Sequence, residues 1–210
     1  MTTLHLIGAG GHGRVVADVV SSCNPGWRIV WHDDAWQTLE NKPPVCDVRS
    51  LEELWKATER LRVFVAIGSA AIRIELLERL IECGHDVLTL VHRSAVNSPF
   101  ARLDTGTLLM AGAIVQTGAV LGTGVIVNTA ASVDHDCSLA AGVHIAPGAH
   151  LAGDVSVGRE SWIGAGAVIR EGVNVGSGVM IGAGAVVVSD VPDDAVMVGN
   201  PARRLRRGHT

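Results

Sequence analysis

Two groups of residues in this chain have the types and the spacing for chemistry. The first lies in Val133-Asp-His-Asp-Cys-Ser. The imidazole of His135 has an ordinary pKa of about 6.5, suited to proton transfer at neutral pH. The Asp136 carboxylate beside it can orient the ring and favour its cationic form. His144 follows nine residues on and Gly153 eighteen residues on. A glycine N–H turned toward a reacting carbonyl is suited to stabilising an oxyanion. The second group is Gly8-Ala-Gly-Gly-His-Gly, where Gly8, Gly10 and Gly13 give the spacing G-x-G-x-x-G between an apolar strand and a helix. Backbone N–H groups at such a helix start hold phosphate. Asp33 and Asp34 come just after the next strand, where folds of this kind meet a ribose or a base.

Each group has a plainer reading. His135 and Asp136 can be a solvated corner, Asp33 and Asp34 a solvated turn, and the glycines can serve only to let the turn pack. Cys137 falls in a small inward slot of the pattern described next and reads as core, and His150 reads as exposed. For the glycine loop, residues 1–92 are half of a full dinucleotide fold, so a mononucleotide phosphate is favoured over NAD.

The elements that position the first group are set by a repeat. From Leu103 the sequence runs in six-residue units. Position one is aliphatic in all fifteen units, from Leu103, Leu109 and Val115 to Val187. Position five is small in all fifteen, from Thr107 to Val191, and position four is glycine in ten. Neither the period of two of a strand nor the 3.6 of a helix fits. A three-faced coil does, with a short strand and a corner in each unit and three units to a turn, so that fifteen units make five turns. Neighbouring turns then stack at the usual strand spacing of about 4.8 Å. Eighteen residues being one full turn, Gly153 is expected directly over His135.

Composition agrees. Hydrophobic residues are 48% and aromatics 3%, there is no tyrosine, and glycines number 25, which suits a core of small aliphatic side chains with many tight corners. A net charge of −4 leaves no electrostatic footprint for nucleic acid. The basic cluster Arg203, Arg204, Arg206 and Arg207 reads as a solvated tail. Cys23, Cys46, Cys83 and Cys137 form no C-x-x-C pair and read as reduced thiols. No apolar run is long enough to span a membrane, and the N-terminus runs straight into a strand with no leader, so a cytoplasmic protein without membrane insertion is expected.

Residues 1–92 alternate strands and helices. Strands are expected at Leu4–Ile7, Arg28–His32, Arg62–Gly68 and Asp86–Val91. Helices are expected from Arg14, from Ser50 with a capping box to Glu53, and from about Ala71 to Cys83. This predicts a small parallel Rossmann-like α/β domain over 1–92, a parallel β-helix over 93–192 and a tail over 193–210.

Several motifs occur in order: Gly8-Ala-Gly-Gly-His-Gly, Asp33-Asp34, Ala66-Ile-Gly68 with Arg73, Asn128-Thr-Ala-Ala-Ser-Val-Asp-His-Asp-Cys, His144, and Val198-Gly-Asn-Pro-Ala-Arg. Together they resemble the hexapeptide-repeat sugar acetyltransferases of the bacillosamine, perosamine and sialic-acid branch. The resemblance implies a left-handed coil, an exception to the right-handed crossover rule, and a homotrimer with sites at subunit interfaces. It implies acetyl-CoA as co-substrate, no metal, and transfer to the amine of a nucleotide-linked 4-amino-deoxysugar. His135 would be the general base, supported by Asp136, where some relatives carry Glu. His144 would lie near the thioester, with Gly153 at the oxyanion. Ala165, Gly182 and Ala183 would line the CoA channel. Gly10, Gly11, His12, Asp33, Asp34 and Gly68 would hold the nucleotide. The alternatives are an O-acetyltransferase for sialic acid or a similar sugar, a zinc enzyme using His135, His144 and His150, and a non-catalytic nucleotide-binding scaffold.

Overall fold

The computed structural model describes residues 2–35, 38 and 48–205; Cys46, Arg206 and Arg207 lie outside the described residues. The chain divides into two compact units, Met1–Arg93 and Ser94–Thr210.

The first unit runs β1 (Thr3–Ile7), α1 (Gly11–Cys23), β2 (Arg28–His32), β3 (Val48–Arg49), α2 (Glu52–Lys56), β4 (Arg62–Val65), α3 (Ala70–Glu82) and β5 (Asp86–Val87). The strands form one sheet in the order β3-β2-β1-β4-β5, and every pairing in it is parallel. Burial on both faces makes the central strand almost continuously apolar: Leu4, Leu6 and Ile7 are no more than 1% exposed. In α1, Val16, Val19 and Val20 recur at helical spacing and form its buried side. Because β1 pairs with β2 on one side and β4 on the other, the chain changes direction across the sheet at β1. Loops at the strand ends there are the usual ligand position in such sheets.

Two expectations for this unit need correction. The Ser50–Glu53 capping box does not form: α2 begins at Glu52 and has no side-chain cap. The Leu51 N–H, at the start of that helix, donates instead to Asp34 Oδ1 at 3.0 Å, a contact between distant residues that local spacing does not reveal. The stretch Asp86–Val91 is two short strands, β5 and Leu90–Val91, rather than one.

The second unit is a three-sided prism. Two-residue strands pair in parallel with a register of eighteen residues, as in Ile114 with Ser132, Val120 with Ser138 and Ile126 with His144. One face runs from Val96–Asn97 to Val186–Val187 and the next from Arg102–Leu103 to Asn174–Val175. The third runs from Leu108–Leu109 through Met180–Ile181 to Val196–Val198 and Arg203–Arg204. Within Ser94–Thr210 the coil thus begins one six-residue unit before Leu103. That unit has Asn97 at position one, which hides it from an aliphatic pattern. From Leu109 onward every position-one side chain is buried, and every position-five side chain from Thr107 is buried as well. Each such Val, Leu or Ile contributes about 1.5–3 kcal/mol on burial, so the core needs no aromatic residues. Residues 193–205 continue the prism: Met180 and Ile181 pair with Val196 and Met197, and the chain then folds back so that Val198 pairs antiparallel with Arg203.

The corners explain the glycines. Position four has a positive φ in fourteen of the fifteen units, from Gly106 at 73° to Gly184 at 66°. That conformation is free for glycine and strained for most other residues. In the unit of interest this position belongs to Asp136, at φ 59°. His135 is one residue earlier, so the substitution for glycine is made by the aspartate and not by the histidine.

Candidate active site

His135 and Asp136 share one corner of the prism, between the face of Ser132–Val133 and that of Ser138–Leu139. The Nδ1 of His135 lies 2.9 Å from Asp136 Oδ2. With Nδ1–H donating to the carboxylate, the lone pair of the neutral ring is on Nε2, the nitrogen a base would use. The hydrogen bond to Asp136 raises the imidazole pKa above its ordinary value, desolvation opposes it, and the charges of Asp134, Asp136 and Glu171 add to the rise. Both side chains are open to solvent, at 50% and 67% exposure, so a substrate can reach them.

Two glycines make room for this pair, one in each neighbouring turn. A Cβ on Gly153 would overlap the His135 ring at Cε1 and Nε2, and a Cβ on Gly118 would overlap Asp136 Oδ1. The Gly153 position follows from the eighteen-residue register. Gly118 was not singled out in the sequence, although it precedes Asp136 by the same eighteen residues and could have been found that way. The carbonyls of His135 and Gly153 are bonded along the stack, to the N–H groups of Asp154 and Gly172.

His144 lies elsewhere. It is on the face running from Leu108–Leu109 to Met180–Ile181, opposite the His135 corner of the same prism. It is 4% exposed, its Nε2 is 3.0 Å from Asn128 Nδ2, and its ring packs on Trp162 with centroids 4.2 Å apart. Asn128 as a partner of His144, and Trp162, were missed. Trp162 stands eighteen residues beyond His144 and was available from the register; Asn128 gave no such signal. Ala165 and Ala183 are stacked at the next corner, where Gly184 N–H donates to the Ala165 carbonyl at 2.8 Å. A Cβ on the neighbouring Gly164 would collide with the backbone of Ile181, Gly182 and Ala183. Ala165 and Ala183 are exposed and Gly182 is partly exposed. One prism therefore presents His135 with Gly153 at one corner, and His144 with Ala165 and Ala183 away from it.

Cys137 is 1% exposed, burial pushes its thiol pKa up, and its Sγ contacts the Ala152 carbonyl at 3.2 Å; it is core. His150 is exposed and 2.8 Å from Ser132 Oγ. Among the described residues no three His, Cys, Asp or Glu side chains converge as metal ligands.

In the first unit the glycines divide into two kinds. Gly8 has φ +103° with the Ala66 carbonyl against its Cβ position, and a Cβ on Gly13 would overlap the Gly8 carbonyl oxygen. These two are needed for packing. A Cβ on Gly10 or Gly68 would meet nothing within 4 Å, and on Gly11 only the end of Arg14 at 4.0 Å. These three border open space, as a binding loop does. Asp33 accepts from Ala9 N–H at 2.8 Å through Oδ2 and from Ala35 N–H at 2.9 Å through Oδ1. It braces the glycine loop against the end of β2, as Asp34 braces Leu51. Arg73, 1% exposed, donates through Nη1 to the carbonyls of Ile67 and Gly68, each at 2.8 Å. Burial first, and then the charge of Arg73, lower the His12 pKa to about 4, so His12 is neutral at pH 7.

Comparison with known proteins matches both units. Residues 3–80 fit the family described as the PglD N-terminal domain, and residues 154–189 that described as bacterial transferase hexapeptide. The UDP-N-acetylbacillosamine N-acetyltransferase of Bacillus subtilis is 33% identical over 117 residues, which are 53% of this chain and about half, 52%, of that relative. The acetyltransferase domain of PglB from Neisseria gonorrhoeae, solved in complex with acetyl coenzyme A, is 45% identical with a TM-score of 0.89, over 97% of this chain and 98% of that one. PerB from Caulobacter crescentus, solved in complex with CoA and GDP-perosamine, is 36% identical with a TM-score of 0.87, over 98% of each chain. The likeness identifies the prism as a left-handed β-helix.

Proposed function

Because the chain belongs to the hexapeptide-repeat sugar N-acetyltransferases, we propose that it transfers acetyl from acetyl-CoA to the amine of a nucleotide-linked 4-amino-deoxysugar. The observation that carries this reading is the His135–Asp136 pair nested between Gly118 and Gly153, with Nε2 left as a base on an exposed corner. The relatives in complex with acetyl coenzyme A and with GDP-perosamine supply the substrate classes.

In this mechanism the sugar amine attacks the thioester carbonyl while His135 Nε2 takes its proton. Asp136 holds Nδ1–H and stabilises the imidazolium that forms. The Gly153 backbone, against the ring, is the proposed source of an N–H donor to the oxyanion of the tetrahedral intermediate. Collapse expels the CoA thiolate, which takes the proton back from His135. No acyl-enzyme forms, in keeping with the buried Cys137. Acetyl-CoA and nucleotide sugars as co-substrates support a cytoplasmic site of action.

His144 and the Ala165–Ala183 corner supply the CoA side. Since they lie away from His135 on one prism, a complete site needs two copies of the chain, which supports the reading of a homotrimer with interfacial sites. The open glycines Gly10, Gly11 and Gly68, with neutral His12, form the nucleotide loop, steadied by Asp33 and Asp34.

The test is CoA thiol release from acetyl-CoA with a panel of nucleotide-linked sugars, each amino sugar paired with its hydroxyl counterpart. Release with an amino sugar and none with its counterpart is expected. Release with hydroxyl sugars alone would make the protein an O-acetyltransferase.

A further inference from the structure

A second carboxylate borders the proposed base. Asp134 Oδ1 accepts the N–H of His135 at 2.7 Å, closing a tight local turn at the start of the corner. The Asp134 N–H is itself bonded to the Leu151 carbonyl at 3.1 Å, which ties the residue to the next turn of the prism. The same bond occurs at two other corners, from Thr105 N–H to Asp104 Oδ1 and from Thr129 N–H to Asn128 Oδ1, each at 2.7 Å. A position-two Asp or Asn is therefore a corner device of this prism. At Asp134 alone the residue so fixed is a histidine whose ring must fit against Gly153.

Resting on the reading of His135 as the base, we propose that Asp134 is a positioning residue that fixes the backbone of His135 and thereby the aim of its Nε2. The ring is then held at two points. Asp136 fixes its rotation through Nδ1, and Asp134 fixes the peptide from which it projects. The ring lies so close to Gly153 that a Cβ there would overlap it. Asp134 also adds charge. The groups acting on His135 are Asp134 and Asp136 on its own corner and Glu171 two turns along, all negative, and all favour the imidazolium formed during transfer.

Two substitutions separate aim from charge. Asp134→Ala removes both the acceptor and the charge, whereas Asp134→Asn keeps an acceptor for the His135 N–H. Asp104→Ala removes the same bond at a corner remote from His135, together with the one Asp104 Oδ2 accepts from Thr123 Oγ1 at 3.0 Å, and controls for loss of the turn itself. In the intact protein, kcat of Asp134→Ala should fall roughly tenfold at the pH plateau, the order expected when a reacting group is misplaced by a fraction of an ångström. Asp134→Asn should keep kcat within about threefold of wild type, with its acidic limb at lower pH because one negative neighbour of the imidazole is gone. Asp104→Ala, which also loses the Thr123 bond, should lower Tm at least as much as Asp134→Ala does and leave kcat unchanged.

A plateau kcat for Asp134→Ala equal to that of Asp104→Ala would overturn the proposal, as would an Asn variant as slow as the Ala variant. His135→Ala measured alongside distinguishes the two levels of failure. If it loses the acidic limb while Asp134→Ala behaves as wild type, Asp134 has no positioning role and the base stands. If His135→Ala itself keeps the limb, the base assignment fails and the proposal falls with it.

Discussion

Asp136 adopts a backbone conformation that glycine takes freely, at φ 59°. For a non-glycine residue this costs on the order of 1–3 kcal/mol. Asp136→Gly should therefore hold or raise Tm while kcat falls, which thermal melts and initial rates on the same preparation would show; a fall in Tm with unchanged kcat would make the carboxylate structural. His135→Ala should keep its fold and lose roughly 10²–10⁴ in kcat, the usual contribution of a general base. Asp136→Asn should lose less, because it tunes the ring without taking the proton. At this scale the sequence was informative about identity and silent about geometry. The unusual residues His135 and Asp136 stood out against a regular repeat. The repeat puts Asp136 at position four, where glycine is usual, but six-residue spacing alone does not say that this position carries a positive φ. The bond from Asp134 to His135 N–H and the Asn128–His144 pair depend on side-chain direction, which the pattern does not encode.

At the scale of elements, the prism was legible because one rule repeats: an aliphatic residue inward, a tight corner, and an eighteen-residue register. That register alone places Gly153 against His135. Gly153→Ala tests the contact directly. Gly153 has no positive φ, so the added methyl brings no backbone strain, yet it must displace the His135 ring. Activity should drop as far as in His135→Ala, with Tm little changed; full activity would mean that the ring works from another position. The α/β unit was less legible, because its elements are short and tied by distant contacts, as Asp34 with Leu51 shows. Its half-buried His12 gives a pH prediction. The folded pKa, about 4, is below the ordinary 6.5, so the neutral ring contributes stability that is complete above 6.5 and lost as pH falls toward 4. Tm should decline over that window, and His12→Gln should flatten the decline. A Gln variant with the wild-type pH dependence would contradict the burial of a neutral ring beside Arg73.

For the whole molecule, the separation of His135 from His144 around one prism makes a prediction that no single chain can satisfy. His135→Ala and His144→Ala should each be nearly inactive, and activity should reappear when the two are unfolded, mixed and refolded together. Light scattering should give three times the mass of one chain. A fully active monomer would contradict the shared site. The account rests most on His135 taking the proton of the attacking amine, and the pH–rate profile of kcat/KM for wild type and His135→Ala tests this most directly. Wild type should show an acidic limb above the ordinary imidazole pKa, raised as Asp136 and its neighbours require. The variant should lack that limb, and its deficit should shrink at high pH as the amine loses its own proton and positioning carries more of the rate. An unchanged limb in His135→Ala, with kcat within a few-fold of wild type, would show that His135 is not the base.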